Sequence, residues 1–282
     1  MKKLTALLMI ALIVLFSGCD FRSQARLALS ERNAPSEQAR QPDVVIVPQA
    51  TPVAPEPEQE PAVVPPAEPH SLNGVGRPSG PMIALTFDDG PGRYTDQVLD
   101  VLERHGGQAT FFVLGYRIEG RRDTLLRAHN LGSEIAGHSW SHPRLIHMTD
   151  AEITHELRST SAAIAELVGF SPPFYRPPYG QLSDDVERVS RQLGYSMINW
   201  TLDTRDWEPP NRNVEHIYNA IMSEVKDGAI ILLHDVHAST AQAMEVVIPR
   251  LIAEGYELVT VSQLLAHLYG ELEPGRVYGN RQ

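Results

Sequence analysis

Met82-Ile83-Ala84-Leu85-Thr86-Phe87-Asp88-Asp89-Gly90 is an apolar run that ends abruptly in two carboxylates. It reads as a strand over Met82–Phe87 with acidic residues at its C-terminal end. Similar β-branched or aromatic runs recur at Ala109–Val113, Glu134–Gly137, Phe174–Arg176, Ser196–Trp200, Ala229–His234 and Glu257–Val261. Between them lie helix-period segments near Thr95–Arg104, Asp123–Asn130, Asp150–Leu167, Asp184–Leu193, Val214–Val225 and Ala241–Ala253, with a last one at Gln263–Tyr269. The long segment opens on the capping-box pair Thr149 and Glu152 and closes near Gly169. Alternation of this kind favours a parallel sheet with right-handed crossovers, either open and doubly wound or an incomplete barrel. Placement decides between them. Asp88-Asp89, His138, Arg176, Asp203–Asp206 and His234 all fall at or just after strand C-termini. Residues from many different strand ends meet in one place only around a barrel, whereas an open sheet gathers them at its switch point. The expected fold is therefore α/β, an incomplete (β/α) barrel of about seven parallel strands with outer helices.

Only part of the 282 residues fits that pattern. Twelve of the 22 prolines lie between Pro35 and Pro81, and the segment around them is rich in Ala, Glu and Gln. It lacks the apolar periodicity that offsets ordering entropy, so residues 20–80 read as a tether. As a flexible coil it would span about 45 Å, and as polyproline roughly 190 Å. The folded unit is expected over 81–270, with 271–282 as a C-terminal tail. A formal charge of −11 excludes a nucleic-acid partner, which would require the opposite sign.

The N-terminus has its own logic. Lys2 and Lys3 precede the apolar run Leu4–Phe16, which is too short for a comfortable membrane span and reads as an export signal over 1–19. Ser17-Gly18-Cys19 closes it, and Cys19 is the sole cysteine. That ending resembles the lipobox of bacterial lipoproteins, although Phe16 stands where the pattern usually has Leu. It implies a lipid-anchored, exported chain, and Asp20 resembles an inner-membrane retention signal, which would place the protein on the periplasmic face in a Gram-negative cell. An ordinary cleaved signal with an incidental cysteine is the alternative.

The chemistry-bearing residues begin with Asp88-Asp89 and His138-Ser-Trp-Ser-His142. They supply one carboxylate and two imidazoles for a divalent metal, and a second carboxylate for proton transfer, the requirements of metal-assisted hydrolysis. Alone, Asp-Asp-Gly is commonly a surface turn, and a lone His-x-x-x-His is commonly helix surface. Pro143 argues against a regular helix here, and Gly137 with Ser139 argues for a loop after a strand. Because two adjacent carboxylates on an extended strand end point in opposite directions, one can ligate while the other faces the nucleophile.

Five motifs occur in order: Thr86–Gly90, His138–His142, Arg176-Pro-Pro-Tyr-Gly180, Asp203-Thr-Arg-Asp-Trp207 and Leu232-Leu-His-Asp-Val-His237. Together they resemble the polysaccharide deacetylase family (carbohydrate esterase family four, the NodB-homology domain), over Pro81 to about Tyr269. The resemblance implies a distorted (β/α) barrel. It implies Asp89, His138 and His142 as metal ligands, with Zn²⁺ as the cofactor and Co²⁺ or Ni²⁺ as substitutes. Asp88 would be the general base, ordered by Arg176. His234 would be the general acid, paired with Asp206. The backbone N–H of Tyr179 would face the developing oxyanion, and Trp207 and Leu232 would wall the acetyl pocket. The implied substrate is an N-acetylated polysaccharide, with cell-envelope peptidoglycan leading, and chitin oligomers, poly-N-acetylglucosamine or ester cleavage on another glycan as alternatives. A glycan-binding scaffold without turnover is an alternative of a different class. No protein partner is legible.

Two other signals carry less. Asp203 fits a loop cap as well as a site residue, and Asp235 and His237 receive no role. His155-Glu156 lacks the second histidine of a His-Glu-x-x-His zinc motif and is expected to lie exposed on the long helix.

Overall fold

The computed structural model describes residues 80–279. The expected signal, Cys19 and the tether lie outside the described residues. Among those described, no helix is long and apolar enough to cross a membrane.

Nine strands form the sheet: β1 Met82–Gly90, β2 Thr110–Val113, β3 Glu134–Gly137, β4 Phe174–Tyr175, β5 Ser196–Ile198, β6 Leu202–Asp203, β7 Ile230–His234, β8 Glu257–Leu258 and β9 Val277–Tyr278. All pair in parallel, in the order β6-β7-β1-β2-β3-β4-β5-β9, with β8 on the lower end of β1. The sheet curls into a half-barrel, as the strand-end argument expects. Helices α1 Thr95–His105, α2 Arg122–Asn130, α3 Asp150–Val168, α4 Asp184–Leu193, α5 Val214–Glu224, α6 Ala238–Ala253 and α7 Val261–Tyr269 complete it.

The strand period of two sorts the side chains. Ile83, Leu85 and Phe87 face outward into the main core with Phe111, Ile135, Ile231 and Leu233, where α1 and α6 cover them. Met82 and Ala84 face inward with Phe112, Ala136, Phe174, Ile198 and Ile230, a second core that Leu264 and Leu265 of α7 enter. Fully burying each such aliphatic side chain contributes about 1.5–3 kcal/mol. Even-numbered positions thus face the barrel interior on these six strands. Carried one step past the apolar core, the same parity gives Asp88, His138, Arg176 and His234. The barrel's own alternation therefore delivers the chemical groups to its upper mouth.

Two strands went unanticipated, each two residues long. β6 pairs with β7, and β9 pairs with β5, so the stretch assigned to a C-terminal tail in fact extends the sheet. β5 and β6 are neighbours in sequence but sit near opposite edges of the sheet. Residues 199–201 cross between them: Asn199 N–H donates to the Tyr278 carbonyl at 2.8 Å, and Thr201 N–H donates to that of Ile230 at 2.9 Å. This is where the barrel is incomplete. Helix ends follow the expected signals, with the Thr149–Glu152 capping box and left-handed Gly169 bounding α3.

Candidate active site

β1 ends in a register shift between Asp88 and Gly90, and Asp89 adopts φ 67°. The expectation that the two carboxylates point apart from an extended end is corrected here. The left-handed residue, a conformation Asp tolerates better than most, turns its carboxylate back toward the barrel mouth. Asp88 Oδ2 and Asp89 Oδ1 lie 3.7 and 3.6 Å from His138 Nε2. Gly90 completes the turn with its backbone against Asp235, whose carboxylate oxygens would stand 2.7 and 2.9 Å from an added Cβ.

The histidine motif is a loop after β3, as Pro143 suggested, with Ser139 and His142 at φ 66° and 63°. Ser139 Oγ accepts from the His142 N–H at 3.0 Å. His138 Nδ1 bonds the Arg176 carbonyl at 2.8 Å, which aims Nε2 at the carboxylates. Burial, outweighing the pull of Asp89, pushes the His138 pKa down to about 3, so the imidazole is neutral and free to ligate.

His142 Nε2 is 3.2 Å from Asp89 Oδ1, and donor atoms of Asp89, His138 and His142 all lie within 4.8 Å of one another. Ligands about 2.0–2.1 Å from a tetrahedral ion stand roughly 3.3 Å apart, close to the 3.6 and 3.2 Å that separate Asp89 Oδ1 from the two imidazoles. Asp89 Oδ1 is buried and, among the described residues, accepts no hydrogen bond. A buried oxygen without a partner is costly, and a cation would satisfy it. The three residues fit a divalent metal.

Arg176, fully buried, lies on one flank. It donates to Asp88 Oδ1 and to Thr86 Oγ1, both at 2.7 Å, and to the carbonyls of Ile198 and Asn199 at 3.0 and 3.2 Å. Its guanidinium rests 4.1 Å from the centre of the Phe112 ring. Burial raises the Asp88 carboxyl above its ordinary range, and Arg176 opposes that rise. Across the mouth, His234 Nδ1 meets Asp206 Oδ1 at 2.7 Å, while Asp206 Oδ2 accepts from the His234 N–H at 2.8 Å and from Thr240 Oγ1 at 2.6 Å. Burial disfavours the imidazolium, but Asp206 outweighs it and lifts the His234 pKa to about 9. Asp206 stays below its ordinary value: burial raises it, and His234 and Thr240 more than compensate.

Leu232 is buried on the inward face of β7, while Tyr179 and Trp207 are 50% and 46% exposed. Tyr179 sits at φ 62° in the turn after β4, with its ring edge-on to His142 at 4.6 Å between centroids. Asp203 accepts from the Arg205 N–H at 2.8 Å, the loop-cap alternative. Asp235 is fully buried beneath the mouth: Oδ2 accepts from Thr95 Oγ1, Oδ1 has no partner, and burial pushes its pKa up to about 7.

Glu156 is the residue that sequence reasoning misplaced. It is buried, and its carboxylate accepts from the N–H groups of Trp140 and Ser141 at 2.7 and 2.8 Å and from Ser141 Oγ at 2.7 Å. It holds the histidine loop from below. The signal was present in the helical period: Ile153, Glu156, Leu157, Thr160, Ile164 and Leu167 form the buried stripe of α3.

Fold and site define a class: a parallel α/β half-barrel with a His₂–Asp cluster that fits a metal at its mouth, flanked by an arginine-held carboxylate and a carboxylate-paired histidine. The polysaccharide deacetylase family description matches residues 76–198, and the chain belongs to that family. It is 40% identical over 188 residues to the peptidoglycan-N-acetylmuramic acid deacetylase PdaC of Bacillus subtilis, covering 66% of this chain and 39% of that one. It is 34% identical over 192 residues to a peptidoglycan-N-acetylglucosamine deacetylase of Bacillus cereus, covering 66% and 89%. Among solved structures, a family 4 acetyl xylan esterase from Clostridium thermocellum in complex with a cobalt ion aligns at a TM-score of 0.64 with 34% identity, covering 71% and 98%. The chain spans about two fifths of the length of PdaC.

Proposed function

We propose that the protein is a metal-dependent hydrolase that removes N-acetyl groups from amino sugars of a cell-envelope polysaccharide, with peptidoglycan as the leading substrate. The observation that carries this is the meeting of Asp89, His138 and His142 between two proton carriers, Asp88 held by Arg176 and His234 held by Asp206. Relatives named as peptidoglycan deacetylases support the choice of glycan.

Asp89, His138 and His142 would hold the ion, zinc by donor chemistry, which when bound supplies Lewis acidity toward the acetyl carbonyl and the attacking water. Asp88 takes the proton from that water, its carboxylate oriented by Arg176. His234 enters charged, as its pairing with Asp206 requires, and gives its proton to the departing nitrogen as the C–N bond breaks. Leu232 and Trp207 bound the space for the acetyl methyl, and the Tyr179 amide contributes a donor for the developing oxyanion. The products are acetate and a free amine on the sugar.

By its N-terminal pattern the chain is exported and lipid-anchored through Cys19, with residues 20–80 as a tether between membrane and wall. Acetate release from N-acetylglucosamine oligomers and from wall fragments tests the activity. Release should require added metal and stop with a chelator. No release from any of these, with metal demonstrably bound, would remove the enzyme reading.

A further inference from the structure

Four arginines stand on loops at the catalytic end of the barrel: Arg93 after β1, Arg117 after β2, Arg144 after β3 and Arg212 after β6. Among the described residues none of them forms an ion pair, in a chain whose net charge is −11. Elsewhere most arginines are neutralised: Arg104 by Glu245, Arg127 by Asp100 and Glu103, Arg188 by Asp150 and Asp185, and Arg250 by Glu254. Arg121, Arg158 and Arg191 also lack carboxylates, but no aromatic ring supports them. At the mouth, by contrast, three arginines without carboxylate partners lie against tyrosine rings, Arg117 with its Nε also donating to Tyr116 Oη at 2.8 Å. Arg93 lies 5.7 Å from the Tyr94 ring centre, Arg117 lies 5.4 Å from that of Tyr116, and Arg144 lies 4.2 Å from that of Tyr179. Arg276 is stacked as well, but it is paired with Glu273.

Arg144 is the innermost of the stacked three. The ring beneath it is the one that meets His142 edge-on at 4.6 Å, so a single aromatic side chain separates this cation from a metal ligand. A guanidinium lying on a ring keeps its plane fixed and its N–H edge available, the geometry that takes a carboxylate through two parallel hydrogen bonds. The side chain is exposed, and among the described residues it has no hydrogen-bond or ion-pair partner.

We infer that Arg144 reads a carboxylate on the amino-sugar chain beside the acetamide under attack, so that the preferred substrate is an anionic N-acetylated glycan. The inference rests on the deacetylase reading of the site. Two parts of a wall strand carry such a group: the lactyl ether of an N-acetylmuramic residue once its peptide is removed, and the acidic residues of an intact peptide stem. Arg93 and Arg117 would extend the same cationic rim to carboxylates further along the strand.

The test compares binding of metal-loaded, full-length wild type and Arg144→Gln to soluble wall strands in three forms: stems intact, stems removed by an amidase, and all carboxylates converted to methylamides. Wild type should bind at least one carboxylate form about fivefold more tightly than the methylamide at low salt, a gap that shrinks as salt rises. The form that shows the gap identifies the source of the carboxylate. Arg144→Gln should close the gap and Arg144→Lys should restore part of it, with metal content equal to wild type in both. Equal wild-type affinity for charged and amidated strands, or a gap that survives Arg144→Gln, overturns the inference. Because binding needs no turnover, absence of acetate release in the same samples would count against the deacetylase reading alone.

Discussion

Asp88, His138, Arg176 and His234 occupy interior positions at strand ends, the first three buried and His234 partly so, and two or more contacts fix each of them. Arg144, Tyr179 and Trp207 sit on connecting loops and are exposed, Tyr179 with left-handed backbone. The contrast separates two tasks. Proton transfer and metal chemistry need groups held to within a fraction of an ångström, which the hydrogen-bonded sheet provides. Meeting a polymer requires accessible aromatic and cationic side chains, which only loops can present.

Changes on the strand side should have the largest effects. Asp88→Asn keeps shape and volume but removes the proton acceptor, so kcat should fall by about 10²–10⁴ while metal content measured by atomic absorption stays at one ion per chain. Near-normal turnover would show that the carboxylate pair is not divided between base and ligand.

Glu156→Ala probes the boundary between the two halves, because it acts on a loop through a helix. It removes the acceptor of the Trp140 and Ser141 N–H groups and of Ser141 Oγ. Metal affinity by calorimetric titration should drop about 10–100-fold. An unchanged affinity would mean that Ser139 and Arg176 alone hold the histidines.

Asp206→Asn addresses the other flank through pH. Because the folded-state pKa of His234 is raised from 6.5 to about 9, its pairing stabilises the fold fully below 6.5, and that contribution is lost as pH rises through about 9. The Asp206 carboxyl is depressed, so its share is lost on the acid side instead. Asp206→Asn should therefore lower stability to urea at pH 7 and by less at pH 10, where the share from the charged His234 is gone, and the alkaline limb of the kcat profile should move toward neutral. Identical denaturation midpoints at pH 7 would break the pairing argument.

Trp207→Ala should have the smallest effect: KM should rise a few-fold, with kcat changed less, as expected for a half-exposed contact surface. A collapse of kcat with KM unchanged would move Trp207 to the strand-side group.

Much of the strand-borne half was legible in the sequence. A strict period of two and strand-end placement point to a barrel mouth without any knowledge of side-chain positions, and helix boundaries followed from the Thr149–Glu152 box and from glycines. What escaped depended on contacts distant in the chain. β6 and β9 are two residues long and have no period to detect, and β9 pairs with a strand some eighty residues earlier. Asp89 turned left-handed because of a register shift against β2, which no local pattern encodes. Glu156 is the instructive miss, since the helical stripe contained it but a motif-based comparison set it aside as exposed.

Arg176 grips the carbonyls of Ile198 and Asn199, at the point where the chain leaves β5 to bridge the two edges of the sheet, with the same guanidinium that grips Asp88. One cation is thus keystone to both the arch and the chemistry. A molecule whose edge has opened at residues 198–199 has also released its proton acceptor, so half-assembled copies would be silent.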